Sequence, residues 1–253
     1  MVQIYTKSEI EKMRTAGRIA GTALHLAGRA IREGVTTLEL DNIIRRYISK
    51  QGAKASFYKY DGFPNSACIS LNSKVIHGIP NKNEHIKNGD IVSIDVGAYI
   101  GGFHGDTAYT FVCGKAAPDI QKLVDETKEA LRLGLLACVV GNRIGDIGNA
   151  IQTHCESFGY GVVRDYIGHG VGRNLHESPE VPNFGKAGHG TRLIAGMTLA
   201  VEPMINLSGE GVRKLADGWT IVTKSGSVSA HFEHTVAITE NGPDILTLPD
   251  SDL

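Results

Sequence analysis

A chain of 253 residues with 42% hydrophobic content is long enough for one large domain or two small ones, with a sizeable core. Lys plus Arg number 26 and Asp plus Glu 27, and the resulting net charge of -1 argues against dedicated nucleic-acid binding. No stretch reaches about 18 apolar residues, which excludes a membrane-spanning helix.

The start, Met1 to Tyr5, lacks the basic-then-apolar pattern of a secretion signal. Four cysteines (Cys68, Cys113, Cys138, Cys155) form no C-x-x-C pair and read as reduced thiols of a cytoplasmic protein. Residues 6–31 predict an amphipathic helix. Thr6-Lys7-Ser8-Glu9 fits a capping box, and Ile10, Met13, Gly17, Ala20, Leu24 and Ala27 recur at helical spacing. Gly34 breaks this pattern, and Thr36 to Glu39 offers a second capping box. Leu40, Ile43, Ile44, Tyr47 and Ile48 then follow one helical face until Gly52. The aromatic-rich stretch Phe57 to Pro64 reads as loop, and 67–71 and 74–77 as short strands ending at His77-Gly78-Ile79-Pro80. A hairpin follows, with Gly89 to Val96 outward, a Gly101-Gly102 turn, and His104-Gly105-Asp106-Thr107 returning.

After Pro118 the pattern begins again. A helix is expected to about Val140, with Leu123, Val124, Thr127, Leu131 and Leu135 on one side. Gly141 breaks it, and a second helix carries Ile144, Ile147, Ile151, Cys155 and Phe158 to about Gly159. Strands, the glycine-rich loop Gly168-His169-Gly170-Val171-Gly172, a polar loop around His189 and a second hairpin complete the chain. That hairpin sets Gly196 to Pro203 against His231 to Thr235. A constant offset of 107 maps Gly34 to Gly141, Glu39 to Asp146, Asn42 to Asn149, Gly52 to Gly159, Gly89 to Gly196 and Asp95 to Glu202. The expected fold is α+β and pseudo-symmetric, a curved antiparallel sheet with helices on its outer face. Residues 1–253 would form one domain of two related halves, about 6–115 and 116–248, with the site between them.

Alternation along the strands singles out the chemistry. Ile91, Ser93 and Asp95 share one face and Val92, Ile94 and Val96 the other. Ser229, His231, Glu233 and Thr235 likewise oppose Phe232, His234 and Val236. A turn at Ile100-Gly101 would set Asp95 directly opposite Asp106, with Cβ atoms about 4.5–5.5 Å apart. Two carboxylates that close repel unless a cation lies between them, and a pair of divalent ions roughly 3.5–4 Å apart is a known hydrolytic device. Asp95, Asp106, His169, Glu202 and Glu233 are the candidates to hold two such ions and activate a water. His104, His231 and His234 read as ordinary structural histidines, His234 as a buried partner on the apolar face. His25, His85, His154 and His189 read as surface or helix-face residues.

Taken together, His77-Gly78-Ile79-Pro80, Gly89 to Asp95, Gly102 to Thr107, Gly168 to Gly172, Leu175 to Pro179, Gly196-Met197, Val201 to Met204, Asp217-Gly218-Trp219 and Phe232 to Thr235 resemble type I methionine aminopeptidase. The resemblance covers nearly the whole chain and implies the duplicated pita-bread fold. It also implies removal of the initiator methionine from nascent chains when the next residue is small. By position it makes the five residues above the metal ligands, with Asp106 and Glu233 bridging, His169 and Glu202 on one ion and Asp95 on the other. Cobalt, manganese and iron(II) are the implied metals. Glu202 would also accept and shuttle the proton, His176 would donate to the developing oxyanion, and His77 would contact the peptide beyond the cleaved bond. Tyr60, Phe63, Cys68 and Trp219 would line the methionine pocket. Phe57 stands where bacterial relatives often carry a smaller residue, and Leu175 where an aromatic is common.

The partners expected are the nascent peptide and a transient contact with the ribosome, with no nucleic acid or membrane, and a monomer is expected. Neither the zinc-binding extension of eukaryotic type I enzymes nor the long insertion of type II enzymes is expected. An X-Pro peptidase of the same fold is the alternative enzyme. Such enzymes usually carry an extra N-terminal domain, for which 253 residues leave no room. A non-catalytic binding protein reusing the fold would have lost ligands, whereas all five positions keep an acid or imidazole.

Overall fold

The computed structural model describes residues 2–250. Four α-helices lie among them, and local chemistry starts each one. Helix α1 (Lys7–Arg29) begins at Thr6, whose hydroxyl accepts from Glu9 N while Glu9 Oε2 accepts from Thr6 N at 2.9 Å. Helix α2 (Thr37–Lys50) repeats this box with Thr36 and Glu39. Helix α3 (Pro118–Leu136) opens on a proline, whose missing N–H is not needed there. In α4 (Ile144–Ser157), Asp146 Oδ2 accepts from Arg143 N at 2.7 Å. Helix α3 stops at Leu136, short of the expected Val140. The Ala137 carbonyl is taken by Val139 N and the Asn142 side chain, and Gly141 N bonds Leu193 O.

Nine strands form the main sheet: β1 (Lys54–Ala55), β2 (Cys68–Leu71), β3 (Ile91–Ile100), β4 (Phe103–Val112), β5 (Gly168–Gly170), β6 (Glu177–Val181), β7 (Thr198–Val201), β8 (Glu233–Thr239) and β9 (Gly242–Ile245). Their order is β1-β3-β4-β8-β7-β5-β6, with β2 beside β3 and β9 beside β8, and every pairing is antiparallel. Val92, Ile94 and Val96 of β3 pack against Ile19, Ala23 and Leu24 of α1, which leaves Asp95 on the uncovered face. Helix α1 reaches β4 through paired glycines: a Cβ on Gly105 would lie 2.4 Å from Gly17 N. Leu131 and Leu135 of α3 and Ile147 and Ile151 of α4 pack against Leu199, Val201, Val236 and Ile238. The result is the pita-bread arrangement, a curled antiparallel sheet with its helices on one side.

The spacing of 107 recurs in the geometry. Thr37–Lys50 and Ile144–Ser157 are 107 positions apart at both ends. Isolated bridges pair Thr36 with His85 and Arg143 with Arg192, again at that spacing. Gly89 and Gly196 both precede strands, with φ of 91° and 93°.

The single alternation expected from Ser229 to Val236 is broken at Phe232. Ser229–His231 pairs with Met204–Asn206 in a separate three-stranded sheet, while β8 pairs with β4 and β7. The break lets one run of sequence serve two sheets, with the Phe232 ring in the core under α3 and α4. The stretch Phe57 to Pro64, expected as plain loop, contains a 3-10 turn at Tyr60–Gly62, with positive φ at Lys59 (66°) just before it and at Asp61 (46°) within it. Among the described residues no helix is long and apolar enough to cross a membrane.

Candidate metal centre and substrate cavity

The strand order sets the five candidate ligands in a row. Asp95 is on β3, Asp106 on β4, Glu233 on β8, Glu202 immediately after β7 and His169 on β5, and these five strands are consecutive neighbours. Threonines fix the central pair. Thr107 Oγ1 donates to Glu233 O at 2.8 Å, while Thr235 Oγ1 accepts from Asp106 N at 3.0 Å and donates to Asp106 O at 2.8 Å.

Asp95 and Asp106 are not directly opposed, as a turn at Ile100-Gly101 required. Asp95 pairs with Ala108 and Asp106 with Gly97. The turn is centred on Gly101-Gly102, both at positive φ (61° and 88°), as a two-residue turn of this hand demands. Moving the turn by one residue shifts the register by two, and a two-residue shift keeps both acids on the same face.

One atom each from Asp106, His169 and Glu233 lies within 4.8 Å of the others. Glu202 Oε1 is 3.6 Å from His169 Nε2. Asp106 and Glu233 are only 3% and 2% exposed. Asp95 Oδ1, Asp106 Oδ1 and Glu233 Oε1 are buried without any hydrogen-bond partner. Burial pushes all four carboxyls up. Asp106 reaches about 7, and Asp95, Glu202 and Glu233 rise well above the usual carboxylate range, with the neighbouring acids as the secondary cause. Orphaned buried carboxylate oxygens are costly unless a cation takes them up, so this donor set fits a metal.

The His169 ring is set for the same purpose. Its Nδ1 lies 2.9 Å from Gly170 O, and a carbonyl can only accept. The proton therefore sits on Nδ1, leaving the Nε2 lone pair among the acids. Burial first, and His176 second, hold this ring's pKa down at about 3.

Beside the acids opens a cavity of about 630 Å³. Phe57, Phe63, Cys68 and Leu175 form a buried apolar cluster there, with Ile79 and Trp219 against it. The rings of Phe63 and Trp219 meet edge-on at 5.2 Å. Phe57 and Leu175 thus share one wall. His77 enters the cavity on a backbone at φ 57°, a strained conformation for a non-glycine residue. Its neighbour is pinned, with Gly78 N donating to Ser70 Oγ at 3.1 Å and Gly78 O accepting from Ile69 N. Burial, and then His176 and Lys214, push His77 down to about 4. His176 also lines the cavity, edge-on to His169 at 4.3 Å. Tyr60 is at the rim, 37% exposed, with its hydroxyl 2.8 Å from His176 Nδ1.

Two residues escaped the sequence reading. Asp41 on α2 is buried and accepts from Asn65 Nδ2 (3.0 Å), Ser66 N (2.8 Å) and Ala67 N (3.0 Å), which anchors the loop behind Phe63 and Cys68. The available signal was an acid at helical spacing from Ile44 and Ile48. His231, read as ordinary, is fully buried with its unpartnered Nε2 3.7 Å from Glu202 Oε2. Its place two residues before Glu233, on the same alternation, was the signal. His104 bonds Ser56 Oγ at 2.9 Å and His234 bonds Thr247 Oγ1 at 2.8 Å, both as structural partners.

A curled sheet presenting four clustered carboxylates, Asp106 and Glu233 buried and Asp95 and Glu202 partly so, and one metal-ready imidazole beside a cavity defines a metal-dependent hydrolase. The family model for metallopeptidase family M24 matches residues 11–240, and the chain belongs to that family. It is 49% identical over 248 residues to a methionine aminopeptidase of Clostridium acetobutylicum, covering 98% of this chain and 99% of the relative. A solved methionine aminopeptidase from Thermotoga maritima superposes with a TM-score of 0.97 at 44% identity, covering 98% of this chain and all (100%) of that one. A prolidase from Pyrococcus furiosus is more distant, with a TM-score of 0.78 at 26% identity, and only 65% of it is matched by 96% of this chain.

Proposed function

We propose that this enzyme removes the N-terminal methionine from nascent polypeptides whose second residue is small. The observation that carries the reading is the junction of a buried acid cluster with an apolar cavity containing Phe63, Cys68 and Trp219. Aromatic faces and a sulfur suit a polarizable thioether. The relatives' full-length identity supports methionine as the residue released.

Asp95, Asp106, His169, Glu202 and Glu233 would hold two divalent ions, with manganese, iron(II) and cobalt as the candidates. When bound, the ions lower the pKa of a water and polarise the scissile carbonyl. The remaining work falls to side chains of this chain. Glu202 takes the proton from the attacking water and passes it to the leaving amine. His176 donates from Nε2 to the oxyanion as it develops, and His77 contacts the peptide beyond the cleaved bond. The cavity walls exclude water around the methionine side chain. Residues 1–253 would act as one domain of two related halves (about 6–115 and 116–248), as a cytoplasmic monomer.

The test is a peptide assay. Protein stripped with chelator is reloaded with manganese, iron(II) or cobalt without oxygen, then offered Met-Ala-Ser beside an Ala-Pro peptide. Metal-dependent release of methionine alone is expected. Cleavage of only the proline peptide would assign the X-Pro activity, and metal binding without cleavage would assign a binding role.

A further inference from the structure

His169 and His176 touch edge-on at 4.3 Å, yet the reaction needs opposite things from them. His169 must present a bare nitrogen and His176 an N–H. A neutral imidazole resolves this by tautomer, and the partner at Nδ1 selects it. The partner of His169 Nδ1 is a carbonyl, which can only accept. At His176 the partner is the Tyr60 hydroxyl, at 2.8 Å.

A hydroxyl can donate or accept, so chemistry must choose. A phenol is a far stronger acid than a neutral imidazole N–H, and an imidazole nitrogen is a far stronger base than a phenol oxygen. The bond therefore runs from Tyr60 O–H to the His176 Nδ1 lone pair. Partial burial, with Asp61 and Asp106 nearby, keeps the phenol protonated by raising its pKa. The donor is also built in place. Tyr60 starts the 3-10 turn, its amide donates to Phe57 O at 2.9 Å, and its carbonyl accepts from Phe63 N at 2.8 Å. Its ring meets the His176 ring edge-on at 5.3 Å, so both planes are fixed.

We propose that Tyr60 is a positioning residue that fixes the His176 proton on Nε2, so that this nitrogen faces the cavity as a hydrogen-bond donor. The inference rests on the oxyanion role given to His176 above and adds the group that makes that role available. It gives Tyr60 a task distinct from lining the methionine pocket. It also explains why an aromatic residue with a hydroxyl stands at the exposed rim while the buried wall uses Phe57 and Phe63.

The test has a spectroscopic and a kinetic arm. In metal-free protein with 15N-labelled histidine, long-range proton–nitrogen correlations report which ring nitrogen of His176 carries the proton, the signal being assigned by its loss in His176→Ala. The wild type should show Nε2–H, and Tyr60→Phe should lose that preference and show a tautomer mixture. In the metal-loaded enzyme Tyr60→Phe should lower kcat about tenfold with KM changed less than about twofold. The same substitution in a His176→Ala background should cost nothing further. A wild-type proton on Nδ1, an unchanged tautomer in Tyr60→Phe, or an equal kcat loss in the His176→Ala background would each overturn the inference. The tautomer is read without metal or substrate, so its failure is separate from a failure of the proposed peptidase activity.

Discussion

Replacing Glu233 with glutamine should stabilise the metal-free protein while removing its response to metal. Glu233 and Asp106 are buried, with ligand atoms inside a 4.8 Å group, and unit charges at that separation repel by roughly 3.5 kcal/mol at an effective dielectric of about 20. The wild type relieves part of this by taking up protons, as the raised pKa values of Asp106 and Glu233 require. The sign is fixed by linkage. A Glu233 carboxyl whose folded pKa lies above its unfolded value of about 4.3 carries no penalty below that pH, and the penalty grows as pH rises toward the folded value. Glutamine never ionises. At about pH 7.5 the metal-free variant should therefore exceed wild type by roughly 2–3 kcal/mol, or roughly 5–10 °C in Tm. The gap should close toward about pH 4.5. Buried histidines such as His169 and His231, pushed down to about 3, lose stability as pH falls in both proteins and cancel in the difference. With manganese added at about a thousand times its Kd, wild type should gain roughly 4.1 kcal/mol and the variant far less, reversing the order. Thermal melts in chelator across pH, then with metal, read every term. A metal-free variant less stable than wild type, or a gap independent of pH, would refute the picture of an electrostatically frustrated carboxylate cluster.

Glu202→Gln should keep the fold and most of the metal but lower kcat by about 10²–10⁴-fold, and near-normal turnover would remove the proton-shuttle role. Asp41→Ala strips the acceptor from three donors behind the cavity, so roughly 2–4 kcal/mol of stability should be lost and KM should rise. Unchanged melting and KM would show that the loop holds itself. Trp219→Ala should reduce the preference for Met over Leu at the first position by about tenfold in kcat/KM, because it opens the wall against Phe63. An unchanged ratio would take Trp219 out of the pocket.

What the sequence revealed divides by the range of the interaction. Caps were readable because their chemistry is local: Thr6 with Glu9 and Thr36 with Glu39 close within one turn. The acid-bearing strands were readable because alternation separates Asp95 from Val92, Ile94 and Val96, and the full motif set pointed to the family. The Gly101-Gly102 turn was visible, but opposing Asp95 to Asp106 needs a turn centred one residue earlier, and that single residue moves the pairing by two. The break at Phe232 could not be seen, because it depends on Met204–Asn206 and β4 claiming adjacent segments of one run. Asp41 was passed over because its partners, Ser66 N and Ala67 N, are backbone groups far away in the chain. The tautomers of His169 and His176 were equally hidden, since one is set by a carbonyl and the other by a hydroxyl more than a hundred positions distant.

Anomalous diffraction from a crystal grown with manganese tests the central claim most directly. The account predicts two manganese peaks per chain, both flanked by Asp106 and Glu233, with Asp95 against one and His169 and Glu202 against the other. Active crystals with manganese bound elsewhere, or with none among these five side chains, would contradict it.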